Sequence, residues 1–209
     1  VSAQDGAEKA QLEMKLSGYL RWFKGCRLVV EPGCGRGEFL ALLKGQGIQG
    51  LGLELSPANV RACQERGAQA LQGDAIRLLA RQKPASFDGF FCSNLVEHLA
   101  PRDFERFLDL ACGRLAKGGT LVLVTANPRC LGIHADSFWH DITHQRFYPL
   151  PLLRRLLEER GLKVVEAKAD ERLRPQSPHR RLVRALRTAL VGDYFGPPEI
   201  YIAAIKPGR

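Results

Sequence analysis

Three acidic residues are spaced around one glycine-rich run. Glu31 stands just before Gly33-Cys34-Gly35-Arg36-Gly37, Glu54 follows Gly33 by 21 residues, and Asp74 sits in Gly73-Asp74-Ala75. Glycines at a strand-to-helix turn let the backbone approach a ligand closely, and the amides opening the next helix add positive potential. The spacing is GxGxG rather than the GxGxxG of dinucleotide sites. A carboxylate at Glu31 would repel a pyrophosphate but attract an ammonium group. Glu54 is placed to bind both hydroxyls of a ribose, and Asp74 to read an adenine edge. A second concentration of chemistry is Phe138-Trp139-His140-Asp141-Ile142-Thr143-His144-Gln145-Arg146-Phe147-Tyr148-Pro149. Its aromatic faces suit sugar rings or bases, and Arg146 suits a phosphate or carboxylate.

The elements that must position these residues alternate along the chain. Apolar stretches at 27–31, 48–55, 68–72, 87–93, 120–125, 162–168 and 200–206 read as strands. Helical patterns fall at 7–23, 38–44, from the Ser56-Pro57 cap onward, and at 76–82, 101–116 and 150–160. The expected fold is α/β: a Rossmann-like, doubly wound seven-stranded sheet with helices on both faces. The last two strands lack an ordinary helical crossover, so the final strand is expected to be antiparallel. The expected organisation is a single domain over 1–209, with an N-terminal helix within 1–24 and an arginine-rich insertion over 171–199 acting as a lid.

At 209 residues, 45% hydrophobic and 25% charged, the chain can build one sizeable core, which excludes wholesale disorder and a many-domain assembly. No apolar run approaches the roughly 18–20 residues that cross a bilayer. The first residues lack a basic segment followed by an apolar one, so a cytoplasmic location is expected. Six scattered cysteines with no CxxC pair read as reduced core thiols. The net charge of +9 is local: Arg172, Arg174, Arg180, Arg181, Arg184 and Arg187 fall in a segment without acids. Residues 179–191 form an amphipathic pattern that could also lie on an anionic membrane surface. A nucleic-acid partner is not expected, because no aromatic stacking strand accompanies the arginines.

A ligand with an amine, a ribose, an adenine and no phosphates satisfies all three acids, and S-adenosylmethionine is such a ligand. The order and spacing resemble class I S-adenosylmethionine-dependent methyltransferases over roughly residues 25–170 and the last strand. The resemblance implies that Glu31, Gly33, Cys34 and Gly35 hold the methionine part and Glu54 the ribose. It further implies that Leu55 lies against the adenine face and that Asp74 with Ala75 reads its edge. Asn94, ending the fourth strand, completes the cofactor set. The PGCGRGEF run, Val96-Glu97-His98-Leu99 and Asp141-x-Thr143-His144 are similar to bacterial methyltransferases of surface-polysaccharide synthesis, most of all those that cap O-antigen chains. The implied activity is O-methylation of a sugar, sugar phosphate or other small acceptor; a proline after Glu31 and the large arginine insertion depart from that pattern.

For a hydroxyl acceptor, His144 oriented by Asp141 is the first candidate base and His98 the second. Trp139, His140, Arg146 and Tyr148 are the candidate acceptor contacts. The plainer alternatives are that His98 caps the helix beginning near Pro101 and that Asp141 and His144 only tie the loop together. Small-RNA 2′-O-methyltransferases share the skeleton and hold a metal through an ExxEH element and a later histidine. Here Asn94 replaces the first carboxylate. Glu97, His98 and His144 (or His140) could still form a facial set, but the lost charge weakens the case for a hard divalent ion, and no metal is assigned. A non-catalytic module that binds S-adenosylmethionine is the third reading.

Overall fold

A computed structural model describes residues 3–172 and 196–208, with Val183, Leu186 and Tyr194 between them. Seven strands form one sheet in the order β3-β2-β1-β4-β5-β7-β6. They are β1 (Leu28–Pro32), β2 (Gln49–Glu54), β3 (Gln69–Gln72), β4 (Phe87–Ser93), β5 (Leu115–Ala126), β6 (Lys163–Ala169) and β7 (Glu199–Ile205). The first five run parallel, and β7 inserts antiparallel between β5 and β6, as expected from the missing crossover. Strand order reverses between β1 and β4, the switch point at whose carboxyl edge open α/β sheets bind ligands.

The helices are α1 (Ala3–Ser17), α2 (Glu38–Gly45), α3 (Pro57–Glu65), α4 (Ala75–Ala80), α5 (Pro101–Arg114), α6 (Leu131–Ala135) and α7 (Leu150–Glu159). The two-residue period of a strand sends alternate side chains to opposite faces. Phe90 and Cys92 therefore join the core layer containing Ile76, Phe104, Phe107 and Leu157 from α4, α5 and α7. Phe91 joins the layer containing Leu16, Phe39, Leu40 and Cys63 from α1, α2 and α3. Phe91 is the centre of an aromatic cluster, with ring centroids 3.9 Å from Phe39, 5.3 Å from Tyr19 and 6.1 Å from Phe23.

Most boundaries shift by one or two residues, and the two larger departures are the helix expected over 7–23 and the start of β5. The helix expected over 7–23 is α1 followed by a 3-10 turn, Leu20–Phe23. The break falls at Gly18, where a Cβ would lie 2.6 Å from the Arg172 side chain. The Arg172 guanidinium covers the Tyr19 ring at 3.8 Å and pairs with Asp170, which also accepts the Tyr19 hydroxyl at 2.5 Å. Strand β5 starts at Leu115 rather than 120, because Leu115 pairs with Phe87 across a bulge before the regular ladder. At its far end Asn127 donates from its backbone N–H and from Nδ2 to the carbonyls of Pro198 and Pro197, fixing the entry to β7. Strand β7 then runs away from that edge, and Lys206 Nζ bonds the carbonyls of Cys112 and Leu115 at the opposite one.

Most of the arginine-rich segment, including the amphipathic pattern over 179–191, lies outside the described residues. No helix among the described residues is long and apolar enough to cross a membrane. All six cysteines are free thiols.

Because Phe91 joins α1, α2 and the 3-10 turn to the sheet, Phe91→Ala is expected to cost roughly 3–5 kcal/mol of stability, as fully buried aromatics do. Urea denaturation followed by circular dichroism measures this.

Candidate functional site

The glycine turn leaves β1 with its backbone in the left-handed region at Gly33 (φ 69°), Gly35 (φ 54°) and Gly37 (φ 78°). Side chains other than glycine rarely adopt this conformation. No heavy atom lies within 4 Å of where a Cβ of Gly35 would stand, so a ligand can reach the backbone there. Glu54, at the end of β2, braces the turn: Oε2 accepts from the Gly35 N–H at 2.9 Å and Oε1 from the Ser56 N–H at 2.8 Å. Asp74 caps α4, with Oδ1 accepting from the Arg77 N–H at 2.8 Å, which leaves its second oxygen for another partner. Leu55 projects from the same edge with 70% of its surface exposed, an apolar side chain without a covering neighbour.

Glu31 lies behind the turn, 5% exposed, and its Oε2 is buried without a hydrogen-bond partner. Burial pushes its carboxyl well above the ordinary glutamate range, and the negative charges of Glu38 and Glu54 add to the shift. A buried oxygen without a donor costs free energy that a bound cation would recover. An ammonium group fits that position better than any anion does.

The acceptor-side chemistry gathers around a cavity of about 410 Å³ between the ends of β4, β5 and β7, lined by Asn94, Glu97, His98, Phe138, Asp141 and His144 among others. The Leu95 side chain lies 3.3 Å from where a Cβ of Gly33 would stand, and its chain neighbour Asn94 lines the cavity, so the cavity lies close to the glycine turn. The imidazoles of His98 and His144 face each other with ring centroids 4.5 Å apart. His144 Nδ1 lies 2.5 Å from the Phe138 carbonyl, and a carbonyl only accepts, so Nδ1 carries the proton. The Thr143 hydroxyl donates to Asp141 Oδ1 at 2.6 Å, so its oxygen accepts from His98 Nδ1 at 2.7 Å. Both rings are thereby fixed as Nδ1–H tautomers with the lone pair on Nε2. Burial, and then the facing His144, lower the pKa of His98. The Thr143 hydrogen bonds hold the exposed Asp141 carboxylate below its ordinary value.

This geometry corrects one detail of the sequence reading. Asp141 orients His98, through Thr143, whereas His144 is oriented by a backbone carbonyl. Glu97 is 2% exposed, with Oε2 accepting from the Thr125 hydroxyl at 2.9 Å, and burial raises its carboxyl pKa. Of the expected acceptor contacts, Tyr148 is turned into the core. It is 2% exposed, its hydroxyl bonds the Leu99 carbonyl at 3.0 Å, and burial pushes it up to about 12. Arg146 lies over the Tyr148 ring at 5.1 Å. His140 pairs with Asp136 at 2.9 Å, and Trp139 Nε1 bonds the His134 carbonyl at 2.8 Å. None of these four lines the cavity, whereas Ile133, Ser137 and Phe138 do. The 3-10 turn Ser137–His140 directs Phe138 inward, stacked on His144 at 4.4 Å and on Phe147 at 3.8 Å. An aromatic-rich run gives no periodicity from which to tell which of its rings turns inward. Asn94, placed with the cofactor residues by sequence, adopts φ 51°, and its Nδ2 donates to Glu199 Oε1 at 3.0 Å. Glu199 also pairs with the buried Lys15.

Residues 11–167 match the family model described as a methyltransferase domain. No curated protein matches the chain. Among solved structures, the chain is similar to an S-adenosylmethionine-dependent methyltransferase from Archaeoglobus fulgidus. The identity is 28% over 95% of this chain and 94% of that one, with a TM-score of 0.81. At 20% identity and a TM-score of 0.72, it shares its fold with a Haloferax volcanii complex of the Trm112 methyltransferase activator and a methyltransferase, over 99% of this chain and 96% of that one. A Thermotoga maritima methyltransferase, described as a possible histamine N-methyltransferase, shares the fold at 23% identity and a TM-score of 0.64, over 98% and 96% of the two chains.

The raised Glu31 carboxyl has a thermodynamic signature. The folded protein keeps this proton to higher pH than the unfolded chain does, so stability falls as pH rises from the ordinary glutamate value toward the folded one. Glu31→Gln is expected to remove that decline and leave the protein more stable at neutral pH. Urea denaturation of both proteins between pH 4.5 and 7.5 tests this window, which opens at the ordinary glutamate value of 4.5.

Proposed function

The chain belongs to the methyltransferase-domain family, with S-adenosylmethionine as its cofactor, and from that premise we propose that it O-methylates a sugar, a sugar phosphate or another small acceptor. The observation carrying this reading is the cavity beside the glycine turn, where two imidazoles have their Nδ1 atoms occupied and their Nε2 lone pairs left over. The likeness of Glu31–Glu38, Val96–Leu99 and Asp141–His144 to surface-polysaccharide methyltransferases points to a glycan-type acceptor. A cavity of about 410 Å³ suits one sugar unit or a comparable small molecule.

When bound, the cofactor supplies a methyl group already activated on a sulfonium. Glu31 would pair with its ammonium group, giving the buried Oε2 the donor that it lacks. The backbone at Gly33, Cys34 and Gly35 would hold the methionine part, and Glu54, which is bonded to the Gly35 amide, would hold the ribose. Leu55 would cover the adenine face, and Asp74 and Ala75 would read its edge. Asn94 stands between this site and the acceptor cavity. The chain's contribution to rate is chiefly alignment of donor and acceptor, for which proximity supplies on the order of 7–11 kcal/mol at best. The proton of an acceptor hydroxyl leaves through the cluster of His98, Asp141 and His144, where the Asp141–Thr143 relay holds His98 in its accepting tautomer. A phosphate or carboxylate on the acceptor would be met by Arg146, exposed on the same loop.

Calorimetric titration is expected to show S-adenosylmethionine binding and no NAD binding. Pairing the ammonium with Glu31 requires the carboxylate, so affinity should rise with pH through the raised Glu31 pKa. Proton release would appear as a dependence of the binding enthalpy on buffer. Glu31→Gln should weaken binding by roughly 10–100-fold, the loss of one charge-assisted hydrogen bond. Failure to bind the donor would overturn the cofactor assignment. His98→Ala and His144→Ala are expected to lower turnover by roughly 10²–10⁴-fold while leaving donor affinity within about twofold. Methyl transfer assayed on sugars and sugar phosphates tests the acceptor class, and transfer only to acceptors of another kind would reject it.

A further inference from the structure

We infer that His98, Asp141 and His144, which line the acceptor cavity, form a binding site for a divalent transition-metal ion. Each of the three offers one ligand atom, and these atoms lie within 4.8 Å of one another. Donors around a first-row dication are separated by roughly 3–4 Å, given metal–ligand distances of about 2.0–2.2 Å. Small torsions of exposed Asp141 and half-buried His98 and His144 close the remaining gap. Two imidazoles and one carboxylate are a donor set of intermediate hardness, suited to Zn²⁺, Fe²⁺, Co²⁺ or Mn²⁺ rather than to Mg²⁺ or Ca²⁺.

The surroundings of the three residues are those of a built metal site. Ligating histidines characteristically donate the other ring N–H to a carbonyl or to a group backed by a carboxylate, which fixes the tautomer and raises the basicity of the ligating nitrogen. Here His144 donates to the Phe138 carbonyl, and His98 donates to Thr143, whose hydroxyl donates to Asp141. Asp141 uses Oδ1 for both Thr143 bonds, from the hydroxyl and from the backbone N–H at 2.8 Å, so Oδ2 remains for coordination. Glu97 and Glu199 line the same cavity, Glu199 in a pair with Lys15 and Glu97 bonded to Thr125, so the exposed carboxylate available to a cation there is Asp141. The carboxylate in this set is Asp141, not the Glu97 considered from the sequence, because Glu97 is buried against Thr125.

The inference deepens the proposed acceptor chemistry and rests on reading this cavity as the acceptor site. Three protein ligands leave coordination positions open, where an acceptor hydroxyl can bind and ionise, its proton passing to solvent. With the ion in place the imidazoles are ligands, and coordination takes over the role of a base.

The test uses chelator-treated, untagged protein without donor or acceptor, titrated with Co²⁺ and with Zn²⁺. The expected result is one equivalent bound, with Co²⁺ giving visible d–d absorption that Zn²⁺ displaces. His98→Ala, His144→Ala and Asp141→Asn should each weaken binding by roughly 100-fold or more, and Thr143→Val, which removes only the orienting bond, by roughly 10–100-fold. Circular dichroism confirms that each variant is folded, and Thr143→Val preserves every ligand should a ligand variant fail to fold. Absence of stoichiometric binding, or binding unchanged in folded variants, would overturn the site. Donor titration is read separately, so loss of the methyltransferase reading and loss of the metal site are distinguishable.

Discussion

A carboxylate buried at the carboxyl end of a central strand, with one oxygen lacking any donor, is the constraint around which this site is organised. Among the described residues Glu31 finds no partner for that oxygen, and the charged groups that reach it most strongly, Glu38 and Glu54, have the same sign. The neighbouring features make sense as the frame for an external cation. Gly35, with open space where a Cβ would stand, keeps a side chain out of the approach, Gly33 and Gly37 give the turn its left-handed backbone, and Glu54 grips the Gly35 amide. The aromatic cluster about Phe91 packs β4 against Phe39 of α2, the helix that follows the turn. Local instability at one oxygen is tolerated because the surrounding sheet determines the position so strongly.

The second half of the site follows a different logic. The polar groups of the Asp136–Tyr148 stretch largely satisfy one another: Asp141 with Thr143, Thr143 with His98, His144 with Phe138, His140 with Asp136. The loop is tied to the body through Glu97, whose carbonyl receives the amides of Gln145 and Arg146, and through Gln145 Nε2 on the His98 carbonyl. Histidine tautomers are thus set by bonds formed within the loop and with its neighbour, without help from a ligand.

How much of this could be read beforehand depended on whether the signal was periodic or three-dimensional. The sheet was legible because alternation of apolar strands and amphipathic helices is a local pattern, and the antiparallel last strand because the connection before it lacked a helical crossover. The glycine turn and the placing of Glu31, Glu54 and Asp74 at strand ends beside it were legible because both follow from spacing along the chain. The Asp141–Thr143–His98 relay was not, since residues 43 to 45 positions apart meet only through the folding of the loop. Tyr148, expected at the acceptor, turns into the core, and Phe138, singled out for no role by the sequence, lines the cavity, for a similar reason. Within an aromatic-rich run, composition does not reveal which ring faces the core, and the 3-10 turn at Ser137–His140 settles it. The close packing of Arg172 over Gly18, where the helix breaks, was not legible either, because the two are more than 150 residues apart.

The reversed direction of β7 has a practical corollary. The polypeptide enters this strand at Glu199, on the rim of the cavity, and departs after Ile205 at the other end of the sheet, where Lys206 is fastened to Cys112 and Leu115. Seven residues of strand carry it roughly 20 Å from the chemistry. A fluorescent reporter, a second enzyme or a surface tether joined beyond Lys206 would therefore begin at the edge of the sheet opposite the cavity and the glycine turn. The molecule can be immobilised by that end with its working face directed outward.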